Sequence, residues 1–340
     1  MRILIIDPQF DDEPDVERAV TGPEADLVIW RTDRQGAVPD AELAACDALV
    51  ICRSRTRLDA EHVALMGRCR IVSQSGVGFN HIDIDSCGAA GIPVCNSPDY
   101  GTMEVADHAV ALALALSRGI VAYDRKLRDR RMGWHAREQG TVRRIYGRHF
   151  GIVGLGRIGL AAALRAQGFG LHIHFVDPYL PPGIERALGF TRHSTLAALL
   201  ATVDVVSIHT PLTVETREMI DAAALAAAKP GLVLVNTARG PICDLDALYD
   251  GLRDGRLGGV GLDVLPVEPM TYEHPLVQAW AADEPWLDGR MIVTPHAAFY
   301  SPDGLLDMRR IALENVVDYL RHGTLRTCVN HAAMRRNRGH

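Results

Sequence analysis

Residues 151–166 read as a strand that enters a glycine-rich turn and leaves along an alanine-rich helix: Gly151-Ile152-Val153, then Gly154-Leu155-Gly156-Arg157-Ile158-Gly159, then 160–166. A bare G-x-G-x-x-G says little, but between a strand and a helix it carries a mechanism. Gly154 permits the tight turn, and Gly156 lets the backbone approach a pyrophosphate. Gly159 lets the helix lie close on the sheet, its N-terminal dipole facing the phosphates. The next apolar run, 172–176, ends at Asp177, about twenty residues on, where a carboxylate takes the ribose hydroxyls. That acid repels a 2′-phosphate, and Pro178-Tyr179-Leu180 brings no arginine to reverse it. The expected cofactor is therefore NAD.

Such a motif needs a parallel sheet around it, and the rest of the chain supplies one on each side. Short β-branched runs at 3–6, 27–30, 48–51, 71–73 and 93–95 form one predicted set of strands. Runs at 149–153, 172–176, 205–209, 232–236, 259–262 and 291–293 form a second. Between them lie stretches with apolar residues at three- and four-residue spacing. Continuous rather than alternating apolar strands, interleaved with helices, predict parallel sheets covered on both faces. The fold class is thus α/β with two doubly wound lobes, which suits 340 residues. A predicted helix near 103–118 separates the two sets. Another, near 302–321, follows the last strand and is expected to return to the first lobe. The expected division is residues 1–100 with 298–334 for the substrate lobe and 101–297 for the nucleotide lobe. Residues 335–340 form a frayed polar tail.

Net charge is −6, which gives no global attraction to nucleic acid or an anionic membrane. The N-terminal apolar run is too short for a signal peptide. The most apolar helix candidate, 105–116, contains Asp107 and His108 and falls short of the roughly 20 residues a membrane span needs. Seven scattered cysteines without a C-x-x-C pair fit reduced thiols in a cytoplasmic protein. No Cys/His cluster has metal-ligand spacing, so no metal is expected.

Three polar residues stand where second-lobe strands end: Arg239 in Asn236-Thr237-Ala238-Arg239-Gly240, Glu268 in Pro266-Val267-Glu268-Pro269, and His296 in Thr294-Pro295-His296-Ala297. Reducing a keto acid needs a permanent cation to hold the carboxylate and polarise the carbonyl, which is arginine's chemistry. It needs a proton from an acid that titrates near neutrality, which is histidine's range. A carboxylate on the far ring nitrogen fixes the tautomer and favours the imidazolium. Arg239, His296 and Glu268 fill these roles in that order.

Over nearly its whole length the chain resembles the D-isomer-specific 2-hydroxyacid dehydrogenases. The resemblance rests on Ser75-Gly76-Val77-Gly78-Phe79-Asn80-His81-Ile82-Asp83, on Gly91-Ile92-Pro93-Val94-Cys95-Asn96, on the glycine loop, on 236–240 and on Pro295-His296. Within that family it looks most like the C-terminal-binding-protein branch. The residues behind this are Asp177-Pro178-Tyr179-Leu180, Glu185-Arg186-Ala187-Leu188-Gly189, 296–301 and Cys328-Val329-Asn330. The resemblance implies that Arg239, Glu268 and His296 are catalytic, and that backbone N–H groups at Val77 and Gly78 hold the substrate carboxylate. It implies that Arg157, Ile158, His209, Pro211, Thr237, Ala238 and Asp263 line the cofactor. It also implies a flavodoxin-like substrate lobe split by the inserted NAD lobe, and a homodimer formed through the NAD lobe.

Phe299 stands where the closest branch has tryptophan, and an aromatic there walls the substrate pocket. The stretch between Glu268 and His296, with Trp280, Pro285 and Trp286, is longer than usual and reads as a surface excursion. Arg53 and Arg55, in Cys52-Arg53-Ser54-Arg55-Thr56-Arg57, are candidates for a second anionic group on the substrate. The basic segment 125–148 reads as a connection beside the dimer contact rather than a nucleic-acid patch. Two alternatives stay open at this point. One is an NAD(H)-sensing, corepressor-like binding protein with little turnover. The other is a phosphite-type dehydrogenase, whereas Glu268 disfavours formate chemistry.

Overall fold

The short β-branched runs form parallel strands that are buried along most of their length. The structure is a computed structural model that describes residues 1–10, 13–53, 56–138 and 142–336. It divides the chain into two units, Met1–Gly101 with Tyr300–His340, and Thr102–Phe299.

The first unit holds β1 (Arg2–Ile6), β2 (Asp26–Trp30), β3 (Ala48–Ile51), β4 (Val72–Gln74) and β5 (Val94–Cys95). They pair in the order β2-β1-β3-β4-β5, all parallel, which is the flavodoxin-like doubly wound order. β1 from Ile3 and all of β3 are buried, as strands covered on both faces must be. The helix Pro302–His322 supplies part of that cover. Ser301 caps its first turn through the Gly304 N–H (2.9 Å), Pro302 sits in that turn, and Gly323 ends the helix at φ +67°. Its buried face, including Ala312, Leu313 and Val316, packs on this unit's sheet. Ser73 donates to the Ala312 carbonyl (2.8 Å), and Asn315 to the Asn96 carbonyl (3.0 Å). The helix His331–Arg336 takes in the first two residues of the tail predicted from 335, and 337–340 lie outside the described residues. That helix packs on Ile84–Ala89 so closely that a Cβ at Gly88 would lie 2.4 Å from the Ala333 Cβ.

The second unit holds β6 (His149–Val153), β7 (His172–Val176), β8 (Thr191–Arg192), β9 (Val205–Ile208), β10 (Leu232–Asn236), β11 (Leu257–Leu262) and β12 (Met291–Val293). The order is β12-β11-β10-β9-β6-β7-β8, again all parallel. From β8 to β11 this is the Rossmann order, and its switch point lies between β6 and β9. β8 was not expected, because two residues carry no periodicity. The helix Thr102–Arg118 buries Ala106, Ala109 and Ala113 against the helix Arg157–Gly168 and the sheet.

The stretch between Glu268 and His296 is a packed element, not a loose excursion. Its helix Pro275–Ala281 lies on Leu245–Arg253, with Leu276, Val277 and Leu287 buried, and Trp286 meets Tyr249 edge-on at 5.6 Å. Much of the basic segment is internally paired as well. Arg125 and Arg131 bond Asp283, Lys126 bonds Asp288, and Arg128 bonds Asp124. Among the described residues no single helix is long and apolar enough to cross a membrane.

Three imidazoles from β6, β7 and the end of β8 form a chain: His149 Nδ1 to His174 Nε2 at 2.8 Å, and His174 Nδ1 to His193 Nε2 at 3.0 Å. Burial, followed by the charges of His149, His193 and His172, pushes His174 down from 6.5 to about 4. The folded state therefore favours the neutral ring, so its contribution is complete above pH 6.5 and is lost as the pH falls toward 4. A shift of this size corresponds to about 3 kcal/mol. Urea midpoints measured from pH 7 to 4.5 should fall accordingly, and His174→Gln should flatten part of that slope. An unchanged slope in the variant would remove His174 from the account.

Candidate active site

Each polar residue expected to carry chemistry in the second unit stands at or just past the carboxyl end of a strand. Asp177 follows β7, His209 and Pro211 follow β9, and Thr237, Ala238 and Arg239 follow β10. Asp263 and Glu268 follow β11, and His296 follows β12. In a parallel sheet those ends share one edge, where open α/β sheets bind ligands.

The glycine turn after β6 is shaped by close approach. Gly154 has φ +87°, and a Cβ there would lie 2.8 Å from Thr210 Cγ2. A Cβ at Gly159 would lie 2.1 Å from the Gly154 carbonyl oxygen, so the helix start is pressed against the turn. At Gly156, by contrast, nothing lies within 4 Å of the Cβ position, and the helix Arg157–Gly168 begins immediately after it. Arg157 is exposed and Ile158 half-buried in that first turn. Asp177 anchors the turn to β7: Oδ2 accepts from the Leu155 N–H (2.9 Å) and Oδ1 from the Tyr179 N–H (3.0 Å). Each oxygen keeps acceptor capacity for a further donor.

Two hydroxyls at this edge, Thr210 Oγ1 and Thr237 Oγ1, are buried without a hydrogen-bond partner among the described residues. Buried polar atoms are rarely left so, and a ligand rich in acceptors would satisfy both. An open glycine cradle, a helix N-terminus, a carboxylate and two unsatisfied hydroxyls together fit a dinucleotide. Thr210 was missed in the sequence; its place directly after the β9 end residues is the signal that could have found it. His209 accepts or donates with Ser207 Oγ at 2.9 Å, and burial pushes it down to about 4, so it stands there as a neutral ring.

Arg239 is presented by its own loop. The Asn236 side chain, fully buried, donates to the Arg239 carbonyl and accepts from the Ala238 N–H, both at 2.9 Å. Gly240 then passes so close to the next loop that a Cβ would lie 1.9 Å from the Leu265 carbonyl carbon. That approach brings the Arg239 loop beside the Glu268 loop. Glu268 Oε1 accepts from the Leu265 N–H (3.0 Å), and Oε2 lies 2.6 Å from His296 Nδ1. Burial alone would raise the Glu268 carboxyl. The hydrogen bond and charge of His296, with the Leu265 N–H and the Arg239 charge, outweigh it and hold the group below the usual carboxylate range.

His296 has φ +54°, a conformation that costs a non-glycine residue and persists only when the surroundings impose it. Asp263 imposes it. Its carboxylate, 2% exposed, accepts from Thr294 Oγ1 (2.6 Å) and from the Ala297 and Ala298 N–H groups, while its carbonyl accepts from the His296 N–H (2.8 Å). Asp263 thus holds the histidine loop from beneath. Phe299 stands edge-on to the His296 ring, with centroids 6.2 Å apart.

The first unit holds the remaining candidates. The loop after β4 has Gly76 at φ +143°; the Gly76 carbonyl accepts from Ser97 N–H (2.9 Å) and that of Val77 from Asn96 Nδ2 (2.8 Å). Val77 itself is exposed, with half-buried Gly78 beside it. Arg53, exposed after β3, lines a small pocket with Arg31 and Arg34 and with the carboxylates Asp7 and Asp33. Arg55 lies outside the described residues.

Comparison with known proteins places the chain in a family. The chain is 39% identical to D-3-phosphoglycerate dehydrogenase of Mycobacterium bovis over 279 residues, covering 82% of this chain and 48% of that protein. It therefore spans about half the length of the phosphoglycerate dehydrogenases it matches. It is 37% identical to glyoxylate reductase of Korarchaeum cryptofilum, covering 81% of this chain and 80% of the reductase. The crystal structure of D-lactate dehydrogenase from Aquifex aeolicus, complexed with NAD and lactic acid, superposes with a TM-score of 0.79 at 26% identity, covering 98% of each chain. Residues 110–298 match the "D-isomer specific 2-hydroxyacid dehydrogenase, NAD binding domain". The chain belongs to the D-isomer-specific 2-hydroxyacid dehydrogenase family, and its second unit carries that family's NAD-binding domain.

Proposed function

We propose that this protein is an NAD(H)-dependent oxidoreductase that interconverts a small 2-keto acid and a D-2-hydroxy acid. The observation that carries this reading is the Glu268–His296 pair beside Arg239, at the carboxyl edge of an NAD-binding domain. NAD(H), when bound at the glycine turn, would supply or take the hydride at the substrate's second carbon. Arg239 holds the substrate carboxylate and draws charge onto the carbonyl oxygen. With Nδ1 engaged by Glu268, His296 has Nε2 for proton transfer to that oxygen, or from the hydroxyl in the reverse direction. Ionised Glu268 stabilises the imidazolium and fixes the ring. By the resemblance, the Val77 and Gly78 N–H groups are assigned to the substrate carboxylate and Phe299 to the pocket wall.

The test is NADH oxidation at 340 nm against a panel of 2-keto acids that includes glyoxylate, hydroxypyruvate and dianionic acids, with His296→Ala as the blank. Turnover of at least one acid, absent in the blank, is expected. Tight NADH binding without turnover on any acid would sink the reading in favour of the sensor. That second reading rests on the short likenesses at 177–180, 185–189, 296–301 and 328–330, while an intact proton donor argues for turnover.

Arg53 is assigned to a second anionic group on the substrate, a reading that the names of the phosphoglycerate dehydrogenase relatives support. Arg53→Ala is expected to lower kcat/KM about ten- to a hundredfold for a dianionic keto acid, the worth of a charged hydrogen bond. Glyoxylate should be almost unaffected. Equal effects on both substrates would refute that assignment. The proposed assembly is a homodimer through the second unit, where Ile120, Trp134 and Tyr146 leave apolar surface exposed.

A further inference from the structure

The first unit's sheet ends at the two-residue strand β5, an edge that would otherwise offer unpaired backbone groups to another chain. The segment after the helix Pro302–His322 returns to cover it. Val329 N–H donates to the Val94 carbonyl (2.8 Å) and Asn96 N–H to the Thr327 carbonyl (3.3 Å), which makes Cys95 and Cys328 directly opposed residues of an antiparallel bridge. These two bonds flank the cysteines rather than join them, so the cysteines form a non-hydrogen-bonded pair. Such pairs place their Cα atoms about 4.5 Å apart with the side chains close. That separation falls within the roughly 4.4–6.8 Å range of disulfides. Asn330, 2% exposed, fixes the segment: its Oδ1 accepts from Val94 N–H (2.9 Å) and its Nδ2 donates to the Ile92 carbonyl (3.0 Å).

We propose that Cys95 and Cys328 are a redox pair whose disulfide, formed with a hydroperoxide, staples the C-terminal segment to the edge strand.

The two sulfurs differ in the way such a step needs. Cys328 is part-exposed, whereas Cys95 is buried behind it. The hydrogen bond from the Cys95 thiol favours Cys328 as thiolate against its burial, with help from the Asn330 N–H and the His331 charge. The same contact pushes the Cys95 thiol up. The Cys328 thiolate attacks a peroxide oxygen, the O–O bond breaks, and water or an alcohol leaves after taking up a proton, giving a sulfenic acid on Cys328. The Cys95 sulfur then attacks the Cys328 sulfur. The S–S bond forms, the S–O bond breaks, and the Cys95 proton leaves with hydroxide as a second water. Two thiols are oxidised by two electrons, and one peroxide is reduced.

Cys46 and Cys69 also share a thiol contact, but both are buried, so they serve as an internal control. The reduced full-length protein is treated with hydrogen peroxide, unfolded, alkylated, digested and read by mass spectrometry. The expected product is a linked peptide pair carrying Cys95 and Cys328, with two of the seven thiols lost. Cys95→Ser should instead leave a sulfenic acid on Cys328 that dimedone traps. The oxidised wild type should melt several degrees higher, reversibly with dithiothreitol, and neither Cys95→Ser nor Cys328→Ser should show that rise. A link at Cys46–Cys69 instead, a link between two chains through Cys328, a sulfinic acid on Cys328 with Cys95 reduced, or seven surviving thiols would each overturn the proposal.

Discussion

His296→Ala is expected to lower kcat/KM for keto acid reduction by about 10²–10⁴-fold, the usual worth of a positioned general acid. NADH affinity should change little, because the groups proposed for the dinucleotide are the glycine turn, Asp177 and the Thr210 and Thr237 hydroxyls rather than this ring. Glu268→Gln keeps a side chain of the same shape and can still bond Nδ1, but removes the charge that faces it at 2.6 Å. Proton donation then loses the carboxylate that stabilises the imidazolium, and kcat for reduction should fall about tenfold or more. Glu268 itself is held below the ordinary carboxylate value. Its ionised form is favoured, so its support persists through the neutral range and fades only as the pH falls below the ordinary carboxylate value of 4.5. A Glu268→Gln enzyme with wild-type kcat would mean that Glu268 orients the ring without stabilising its charge. A His296→Ala enzyme with wild-type kcat would end the proposed mechanism.

The strands were legible because parallel strands buried on both faces need continuous apolar runs, and 3–6, 48–51 and 232–236 are such runs. The glycine turn was legible because its residues act locally, within one strand–turn–helix unit. Arg239, Glu268 and His296 could be picked out because polar residues that end apolar strands share one edge. What could not be read is what holds them there. Asp263, expected as a cofactor contact, also holds the backbone of 297–298 through its carboxylate, contacts 34 and 35 residues away in sequence. Asn236 matched a motif, but its double bond to the Arg239 loop depends on burial that no spacing reveals. The His149–His174–His193 chain draws on three strands, and the opposed Cys95 and Cys328 are 233 residues apart. The longer stretch before His296 read as a surface excursion, and the burial of its Leu276, Val277 and Leu287 depends on a partner helix that spacing does not reveal.

The largest stability effect is expected at another long-range contact, which ties the two chain segments of the first unit together. Arg309, on the helix Pro302–His322, grips Glu17 on the helix Asp15–Thr21 with Nε to Oε1 at 2.9 Å and Nη2 to Oε2 at 2.6 Å. It also bonds Asp15 (2.7 Å) and lies 4.3 Å from the Phe10 ring centroid. Both partners of the Glu17 pair are buried, Arg309 at 7% and Glu17 at 2% exposure. Removing Glu17 leaves Arg309 in a dry site with only the exposed Asp15 as counter-ion, so Glu17→Ala should cost about 3 kcal/mol in urea unfolding of the first unit. Replacing both with apolar residues, Glu17→Leu with Arg309→Met, should recover much of that loss, because desolvation is then avoided as well. The exposed pair Arg310–Glu314, one residue along the same helix, gives the contrast: Arg310→Ala should cost no more than about 1 kcal/mol. If Glu17→Ala costs no more than Arg310→Ala, the buried pair contributes specificity without stability. If the double variant is as unstable as the single one, the loss comes from packing against Phe10 rather than from the stranded charge.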